Sequence, residues 1–171
     1  IALGSWGVVS LVFSGRRRFH LAVISILAMA WVAYGLVGYP LFNDSSSARG
    51  LMRQAGERIG PDAELGLVGW KEQNLLMSDR PVRTFGFKRR WYHQFQDGRA
   101  WQAQAPGQRW LLVQQAALLD CVDRSQAERV GVANRRGWWL VPAHAFVGPC
   151  QPSAVDLARI RLEQGKEDGE D

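Results

Sequence analysis

An uninterrupted apolar run near the start of the chain most constrains what this sequence can fold into. Residues 19–43 contain no Lys, Arg, Asp or Glu. A helix over residues 19–42 would be about 36 Å long, and the hydrocarbon core of a bilayer is about 30 Å thick. Trp31, Tyr34 and Tyr39, which suit a membrane interface, lie towards one end of the run. The pattern predicts a transmembrane helix over residues 19–42, with a buried helix of a soluble domain as the alternative.

The residues before this run extend the membrane prediction. Residues 1–15 are apolar and uncharged, but a helix of that length reaches only about 22 Å. Because the chain begins with Ile rather than Met, we predict a truncated transmembrane helix here. A signal peptide fits less well, since no cleavage signature separates this run from the next. Arg16, Arg17 and Arg18 are predicted to form a cytoplasmic basic turn, because positive charge in a short loop marks the cytoplasmic side.

The predicted topology places the rest of the chain outside the cytoplasm, as a soluble domain in the periplasm anchored in a bacterial inner membrane. The sequence assigns residues 43–164 to that domain and residues 165–171 to a disordered acidic tail. Residues 43–150 carry 15 Lys or Arg against 10 Asp or Glu, whereas residues 151–171 carry 3 against 6. The overall net charge of +5 therefore combines a basic domain, a basic turn and an acidic end.

Local patterns in the exported part alternate between helix and strand. The predicted helices cover residues 45–59, 71–78 and 97–105, and the predicted strands cover residues 64–70, 82–87, 110–113, 130–133, 138–141 and 158–163. A four-residue loop, Asn134 to Gly137, joins the predicted hairpin. The order indicates a largely parallel sheet with an antiparallel hairpin at its end. The complete predicted fold class is an α-helical membrane hairpin, formed by the last two transmembrane helices, followed by a small α/β layered extracytoplasmic domain.

The two cysteines provide a separate argument about the compartment. Cys121 and Cys150 both fall in the part predicted to be exported, and disulfides persist in oxidising compartments. Closing a loop of about 30 residues stabilises a fold by roughly 3–4 kcal/mol in the chain-entropy treatment. The sequence therefore predicts a disulfide between Cys121 and Cys150, with two separate buried thiols as the alternative. The cysteine and histidine spacings indicate no metal site.

A basic and aromatic run is the most suggestive candidate for ligand binding. Lys88, Arg89, Arg90 and Trp91 follow one another in the sequence. The fork of an arginine guanidinium matches the geometry of phosphate oxygens. We predict that these residues bind a phosphate-bearing head group, either an anionic lipid or a polyprenyl phosphate. An ordinary basic loop near the bilayer explains the run at least equally well, and the predicted topology argues against nucleic acid as the partner.

Signatures of common catalytic and nucleotide-binding sites are absent from the sequence, including the nucleophile elbow, the phosphate-binding loop, the zinc-protease helix and the dinucleotide-binding fingerprint. His93 and His144 are isolated, which suits surface or hydrogen-bonded histidines better than a general base. Asp120 and Asp123 lie three positions apart, and a solvated face explains them better than an acid–base pair. No residue can therefore be assigned a catalytic role by its motif.

Four segments of the chain occur together in one known arrangement. They are the arginine-rich turn, the stretch from Pro40 to Arg49 after the second apolar run, and the stretches Glu64–Gln73 and Arg80–Gly86. Together they resemble the C-terminal region of bacterial integral-membrane (GT-C type) glycosyltransferases that use polyprenyl-phosphate sugars. That group includes the aminoarabinose transferase acting on lipid A and the dolichyl-phosphate-mannose-protein mannosyltransferases. The resemblance covers roughly residues 1–145.

The resemblance implies transfer of a sugar from a polyprenyl-phosphate carrier to a lipid A, glycan or protein acceptor on the periplasmic face. In such enzymes the catalytic carboxylate lies in the first exported loop, so this chain would be a C-terminal, non-catalytic part without its own cofactor. Its expected partners are the lipid bilayer and the remaining transmembrane helices. The alternative function is a membrane-tethered periplasmic binding or sensor domain without enzymatic activity.

Overall fold

The structure, a computed structural model, describes residues 19–39 and 48–169. The chain divides into two compact units, Ile1–Asn43 and Asp44–Asp171. Each unit is described by itself, and helices and strands are numbered in chain order.

The first unit contains one described helix. Helix α1 spans Phe19–Ala33 and continues into a π-helical turn over Tyr34–Gly38. The truncated helix predicted over residues 1–15 and the basic turn predicted over residues 16–18 lie outside the described residues.

The predicted fold class is wrong in its membrane hairpin. Across residues 19–39 and 48–169, no helix is both long enough and apolar enough to cross a membrane. The α-helical part, α1, has 15 residues, or about 22 Å, before the π-helical turn continues it to Gly38. The apolar run has the composition of a span, but the α-helical hydrogen-bonding pattern changes to a π-helical one at Tyr34. The amino-acid composition of the run does not predict that change in hydrogen bonding.

The second unit alternates helices and strands. Its helices are α2 (Arg49–Ile59), α3 (Glu72–Leu76), α4 (Trp91–Gln102) and α5 (Ala154–Asp168). Its strands are β1 (Glu64–Val68), β2 (Val82–Thr84), β3 (Arg109–Gln114), β4 (Glu128–Ala133) and β5 (Arg136–Val141). Short 3-10 turns over Gln115–Ala117 and Ala143–Ala145 lie in the connections.

The five strands form one mixed sheet in the order β2-β1-β3-β5-β4. Strand β1 pairs in parallel with β2 and β3, with Leu65 opposite Val82 and Leu67 opposite Leu112. Strand β5 pairs antiparallel with β3 and β4. Parallel strands need a crossover connection, and α3 and α4 lie in the two crossovers. The corrected fold class is a small α/β domain with a five-stranded mixed sheet.

Each face of the sheet is covered by its own apolar cluster, because successive side chains of a strand point to opposite faces. In β3, Leu111 and Val113 belong to one cluster and Leu112 to the other. Phe95 of α4 packs in the first cluster, which also receives α5. Met52 of α2 packs in the second. The sheet is therefore the middle layer between α2 on one face and α4 with α5 on the other.

Strands β4 and β5 form a hairpin with a shorter connection than the four-residue loop predicted from Asn134 to Gly137. Strand β5 begins at Arg136, so the turn consists of Asn134 and Arg135, whose φ angles are 51° and 61°. Two consecutive positive φ angles are the mark of the tight turn whose twist matches the flanking strands. Asn adopts positive φ angles more readily than most residues, whereas an Arg in the sequence gives no indication of one.

Helix α5 stands where the sequence predicts a strand over residues 158–163. The alternation of Ala158, Ile160 and Leu162 suggested that strand. In the structure Ile160 is buried while Leu162 is 61% exposed, so the alternation does not mark one buried face. The helix continues to Asp168, into the segment predicted to be a disordered tail.

A capping box starts α5. The Ser153 hydroxyl oxygen accepts a hydrogen bond from the Asp156 backbone N–H at 3.1 Å, and an Asp156 carboxylate oxygen accepts one from the Ser153 backbone N–H at 3.1 Å. This reciprocal pair satisfies two N–H groups that a helix start would otherwise leave unpaired. The Ser-x-x-Asp spacing was the sequence signal for this helix.

Candidate functional site

The loop between β2 and α4 carries the basic run that the sequence singles out. Its backbone turns at Gly86 and Lys88, whose φ angles are 100° and 58°. A positive φ is ordinary for glycine and uncommon for lysine. The turn leaves Lys88, Arg89 and Arg90 exposed, while Trp91, the first residue of α4, is buried. Three consecutive cations therefore stand at the surface beside the N-terminus of a helix.

The buried side chain of Gln94 in α4 holds this loop in place. Its Nε2 donates to the carbonyl oxygens of Gly86 at 3.1 Å and Arg89 at 2.9 Å. Its Oε1 accepts from the backbone N–H of Gly69 at 3.0 Å. Gln94 is only 3% exposed, so water cannot easily replace these partners. One amide thus joins the end of β1 to the basic loop.

A second glutamine reaches α4 from α5. Gln164 Oε1 accepts from the backbone N–H of Trp91 at 3.2 Å, and its Nε2 donates to the carbonyl oxygen of Arg89 at 3.5 Å. Arg90, at the N-cap position, makes no side-chain capping bond. Gln164 therefore supplies from a distant helix the contact that a Ser or Asp N-cap normally makes.

The end of β1, the basic loop and Gln164 surround a cavity of about 520 Å³, here called the first groove. Its lining combines cations, aromatic rings, amides and a single carboxylate: Trp70, Lys71, Glu72, Gln73, Phe87, Lys88, Arg89, Trp91, Gln94 and Gln164. Three of the ten lining residues are aromatic and the other seven are polar or charged, so the cavity offers aromatic rings within a mainly polar lining. The excess of cations over carboxylates indicates an anionic ligand.

Aromatic rings and a cation contact each other on one side of the first groove. The ring centroids of Trp70 and Phe87 are 5.6 Å apart and tilted by 47°. Lys88 Nζ lies 5.8 Å from the centroid of Phe87. The negative face of an aromatic ring attracts an ammonium group, so Phe87 helps to keep the Lys88 charge beside the groove.

The charges near the start of α4 also favour an anion. Arg89 forms an ion pair and a hydrogen bond with Asp97, eight positions later in the chain. The first turn of α4 contains no acidic residue, so the positive end of the helix dipole is not neutralised from within the helix. A helix start of this kind favours negative charge nearby.

A second cavity, of about 510 Å³, lies between the basic loop and α5 and is here called the second groove. Its lining residues are Lys88, Arg90, Tyr92, His93, Leu157, Ile160, Arg161, Gln164 and Gly165. Lys88 and Gln164 line both grooves. Among the described residues, the lining of the second groove contains three cations and no Asp or Glu.

The predicted binding residues are distributed over these two grooves. Lys88, Arg89 and Trp91 line the first groove, and Arg90 lines the second together with Lys88. Whether they bind a phosphate-bearing ligand stays a prediction. The structure adds residues that sequence reasoning missed, namely Trp70, Lys71, Phe87, Gln94, Arg161 and Gln164. Most of these lie far from the run in sequence, so only the fold brings them to it.

The other titratable candidates lie apart from one another. His93 and His144 are both exposed, on α4 and on a 3-10 turn after β5 respectively. Asp120 is exposed, whereas an Asp123 carboxylate oxygen accepts from the hydroxyl and the backbone N–H of Ser125, at 2.7 and 2.9 Å. Within the described part of the chain, no group of three or more His, Cys, Asp or Glu side chains could hold a metal ion.

The Ser125 contacts have an electrostatic consequence for Asp123. The hydrogen bond from the Ser125 hydroxyl, followed by the one from its backbone N–H, holds the pKa of Asp123 below its ordinary value. Both bonds favour the ionised carboxylate. Asp123 therefore behaves as a local turn residue rather than as half of an acid–base pair with Asp120.

The structure joins the pair of cysteines for which the sequence predicts a disulfide. The Sγ atoms of Cys121 and Cys150 are 2.02 Å apart, and the residues are separated by 29 positions. The backbone N–H of Val147 donates to the carbonyl oxygen of Cys121 at 2.8 Å, so the bond lies in a segment that is also held by backbone contacts. It ties the chain shortly before α5 to the connection that precedes β4.

No family model, curated protein or solved structure matches this chain. The resemblance of the stretches Glu64–Gln73 and Arg80–Gly86 to glycosyltransferases therefore stays a prediction, as does a periplasmic location.

Proposed function

We propose that the second unit is a non-catalytic binding module that accepts a phosphate-bearing anion in the first groove. The observation that carries the proposal is the convergence of Lys71, Lys88 and Arg89, from two separate segments, on one cavity that also has aromatic sides. A run of surface cations alone would be ordinary. Cations from different segments that meet in one concave site focus a positive potential there, which attracts an anion.

The cations in the lining suit a phosphate group better than an uncharged apolar ligand. Lysine ammonium and arginine guanidinium groups donate charge-assisted hydrogen bonds to phosphate oxygens. The start of α4 adds a favourable electrostatic field. Among the described residues, Glu72 is the one carboxylate in the lining. Because Arg89 also pairs with Asp97, a bound anion would meet three cations and two nearby carboxylates.

We propose that this module is the binding part of a larger glycosyltransferase. The stretch Glu64–Gln73, which resembles the glycosyltransferase group, supplies Trp70 to Gln73 of the first groove. In an enzyme that uses polyprenyl-phosphate sugars, the module would hold the phosphate of the carrier or acceptor while catalysis occurs elsewhere. The same binding chemistry serves the alternative, a binding or sensor domain without enzymatic activity.

The test is the affinity of the full chain for inorganic phosphate and for farnesyl phosphate, measured by calorimetry at low salt. Lys71→Gln with Lys88→Gln should weaken binding about tenfold, since each exposed charge pair contributes up to about 1 kcal/mol and tenfold corresponds to about 1.4 kcal/mol. The control removes two exposed cations outside both grooves, Arg83→Gln with Arg124→Gln. Equal weakening in both double variants, or no binding by the parent chain, would contradict the proposal.

A further inference from the structure

The second groove has a charge composition that the proposed function does not use. Lys88, Arg90 and Arg161 line it, and none of the three takes part in an ion pair among the described residues. By contrast, Arg89 of the first groove pairs with Asp97. Other cations, such as Arg83 and Arg124, also lack an ion pair among the described residues, but the second groove gathers three such cations in one cavity.

Concentrated like charge is unfavourable in a concave site. Charges lining a cleft with apolar sides repel each other more strongly than on a flat, fully hydrated surface, because field lines are focused there. The apolar part of this groove comes from α5, where Ile160 is buried and Leu157 is 40% exposed. An anion that enters the groove would relieve the repulsion among the three cations.

The two grooves are neighbours that share a boundary. Lys88 and Gln164 belong to the lining of both. The Gln164 amide is neutral, and its hydrogen bonds to the backbone of Trp91 and Arg89 hold it between the grooves. A ligand that runs past Lys88 would therefore meet cations on both sides and no charge of its own sign at the boundary.

We propose that the two grooves form one bipartite site for a ligand that carries two or more linked phosphoryl groups. The first groove takes one phosphoryl group through Lys71 and Arg89. The second takes another through Arg90 and Arg161, and Lys88 contacts the bridge between them. This inference rests on the proposed function of the first groove and adds the ligand class, a diphosphate or longer phosphate chain rather than a monophosphate.

The experiment compares inorganic phosphate, pyrophosphate and tripolyphosphate on the full chain by calorimetry at low salt. Arg90→Gln with Arg161→Gln should weaken pyrophosphate or tripolyphosphate binding about tenfold, from two exposed charge contacts, and change phosphate affinity less than about twofold. The matched control is again Arg83→Gln with Arg124→Gln, which removes the same charge from outside the grooves. Farnesyl phosphate and farnesyl diphosphate repeat the comparison with a lipid chain attached.

The outcomes separate the two proposals. If phosphate binds but Arg90→Gln with Arg161→Gln leaves the affinity for pyrophosphate and tripolyphosphate unchanged, the bipartite site is wrong and the first groove stands. If the control variant weakens the longer anions equally, general electrostatic attraction explains the binding and the bipartite site is again wrong. If no phosphate species binds the parent chain, both proposals fail. Selective loss supports the bipartite site, and tighter binding of farnesyl diphosphate than of pyrophosphate then assigns a lipid-linked source.

Discussion

Helices α2 and α4 cover opposite faces of the same sheet, but they bury different kinds of residue. The buried residues of α2 are Leu51, Met52, Ala55 and Gly56. Those of α4 are Trp91, Gln94, Phe95, Gly98 and Gln102. A buried amide costs free energy unless its hydrogen bonds are satisfied. The α2 face is therefore held by packing, whereas the α4 face also depends on polar contacts to the backbone around it.

The two buried glutamines of α4 bind backbone groups that lie outside the helix. Gln94 holds the basic loop and the end of β1, as described above. Gln102 Nε2 donates to the carbonyl oxygens of Arg109 at 2.8 Å and Val141 at 2.9 Å, on the neighbouring strands β3 and β5. The buried amide of Gln94 holds the loop that lines the first groove, whereas α2 contributes packing alone, so binding and stability should respond differently to changes on the two helices.

The largest expected effect comes from removing one large apolar side chain on each face. Phe95→Ala should lower the free energy of unfolding by about 3–5 kcal/mol, and Met52→Ala by about 2–5 kcal/mol, since the two residues are 0% and 1% exposed. Denaturant unfolding measures both. Phe95 neighbours Gln94, so the molecules of Phe95→Ala that remain folded should also bind phosphate more weakly. The folded molecules of Met52→Ala should keep the parent affinity. Equal loss of phosphate affinity in the two variants would contradict the claim that only the α4 face supports the binding site.

A smaller effect is expected from Gln94→Met, which keeps the size of the side chain and removes its hydrogen bonds. It leaves the Gly69 N–H and two loop carbonyls without their side-chain partner, so stability should fall by about 1–3 kcal/mol. Phosphate affinity should fall as well, because the basic loop is no longer held. Gln96→Met is the matched control on the exposed side of α4, and it should change stability by less than about 0.5 kcal/mol. Unchanged phosphate affinity in Gln94→Met would contradict the role given to Gln94.

The smallest expected effect concerns a polar contact at the surface, which sharpens the contrast with the buried amides. Ser125→Ala should raise the pKa of Asp123 towards its ordinary value of 3.8, as followed by NMR titration of the carboxyl group. Because the folded-state pKa is lowered, the contribution to stability is complete above the ordinary value and is lost as the pH falls through the lower folded value. The stability difference between Ser125→Ala and the parent should therefore vanish in strong acid. A pKa of Asp123 that does not move in the variant would contradict this assignment.

Strong local patterns made part of the α/β domain predictable from sequence. The strand predicted over residues 110–113 is the centre of β3, and the one predicted over residues 64–70 contains β1. Both are short apolar runs bounded by turn residues, the situation in which pattern reasoning works best. The hairpin of β4 and β5 was also predicted. The length of its turn was not, because the positive φ of Arg135 has no sequence signature.

Helix starts were harder, for two different physical reasons. The start of α4 at Trp91 lacks a Ser or Asp cap because Gln164 satisfies it from 73 positions away in the chain, and no local pattern contains that contact. The start of α5 does have a local signal, the capping box at Ser153, but the alternation of apolar and charged residues over residues 158–163 suggested a strand instead. Short alternations fit either period, so the cap was the better evidence.

The candidate site was only half predictable. Lys88 to Trp91 stand out as a basic and aromatic run, but Lys71, Gln94 and Arg161 have no pattern that connects them to it. They meet the run because β1, α4 and α5 come together, which is a property of the tertiary fold. Buried glutamines in particular look like ordinary surface residues in a sequence.

An NMR titration of the isotopically labelled full chain with inorganic phosphate tests whether an anion binds beside α4. We expect backbone amide shift changes concentrated at Gly69 to Gln73, at Gly86 to Trp91 and at Gln164, with the amides of α2 unaffected. Changes centred on α2, or changes spread evenly over exposed basic residues such as Arg124, would contradict it.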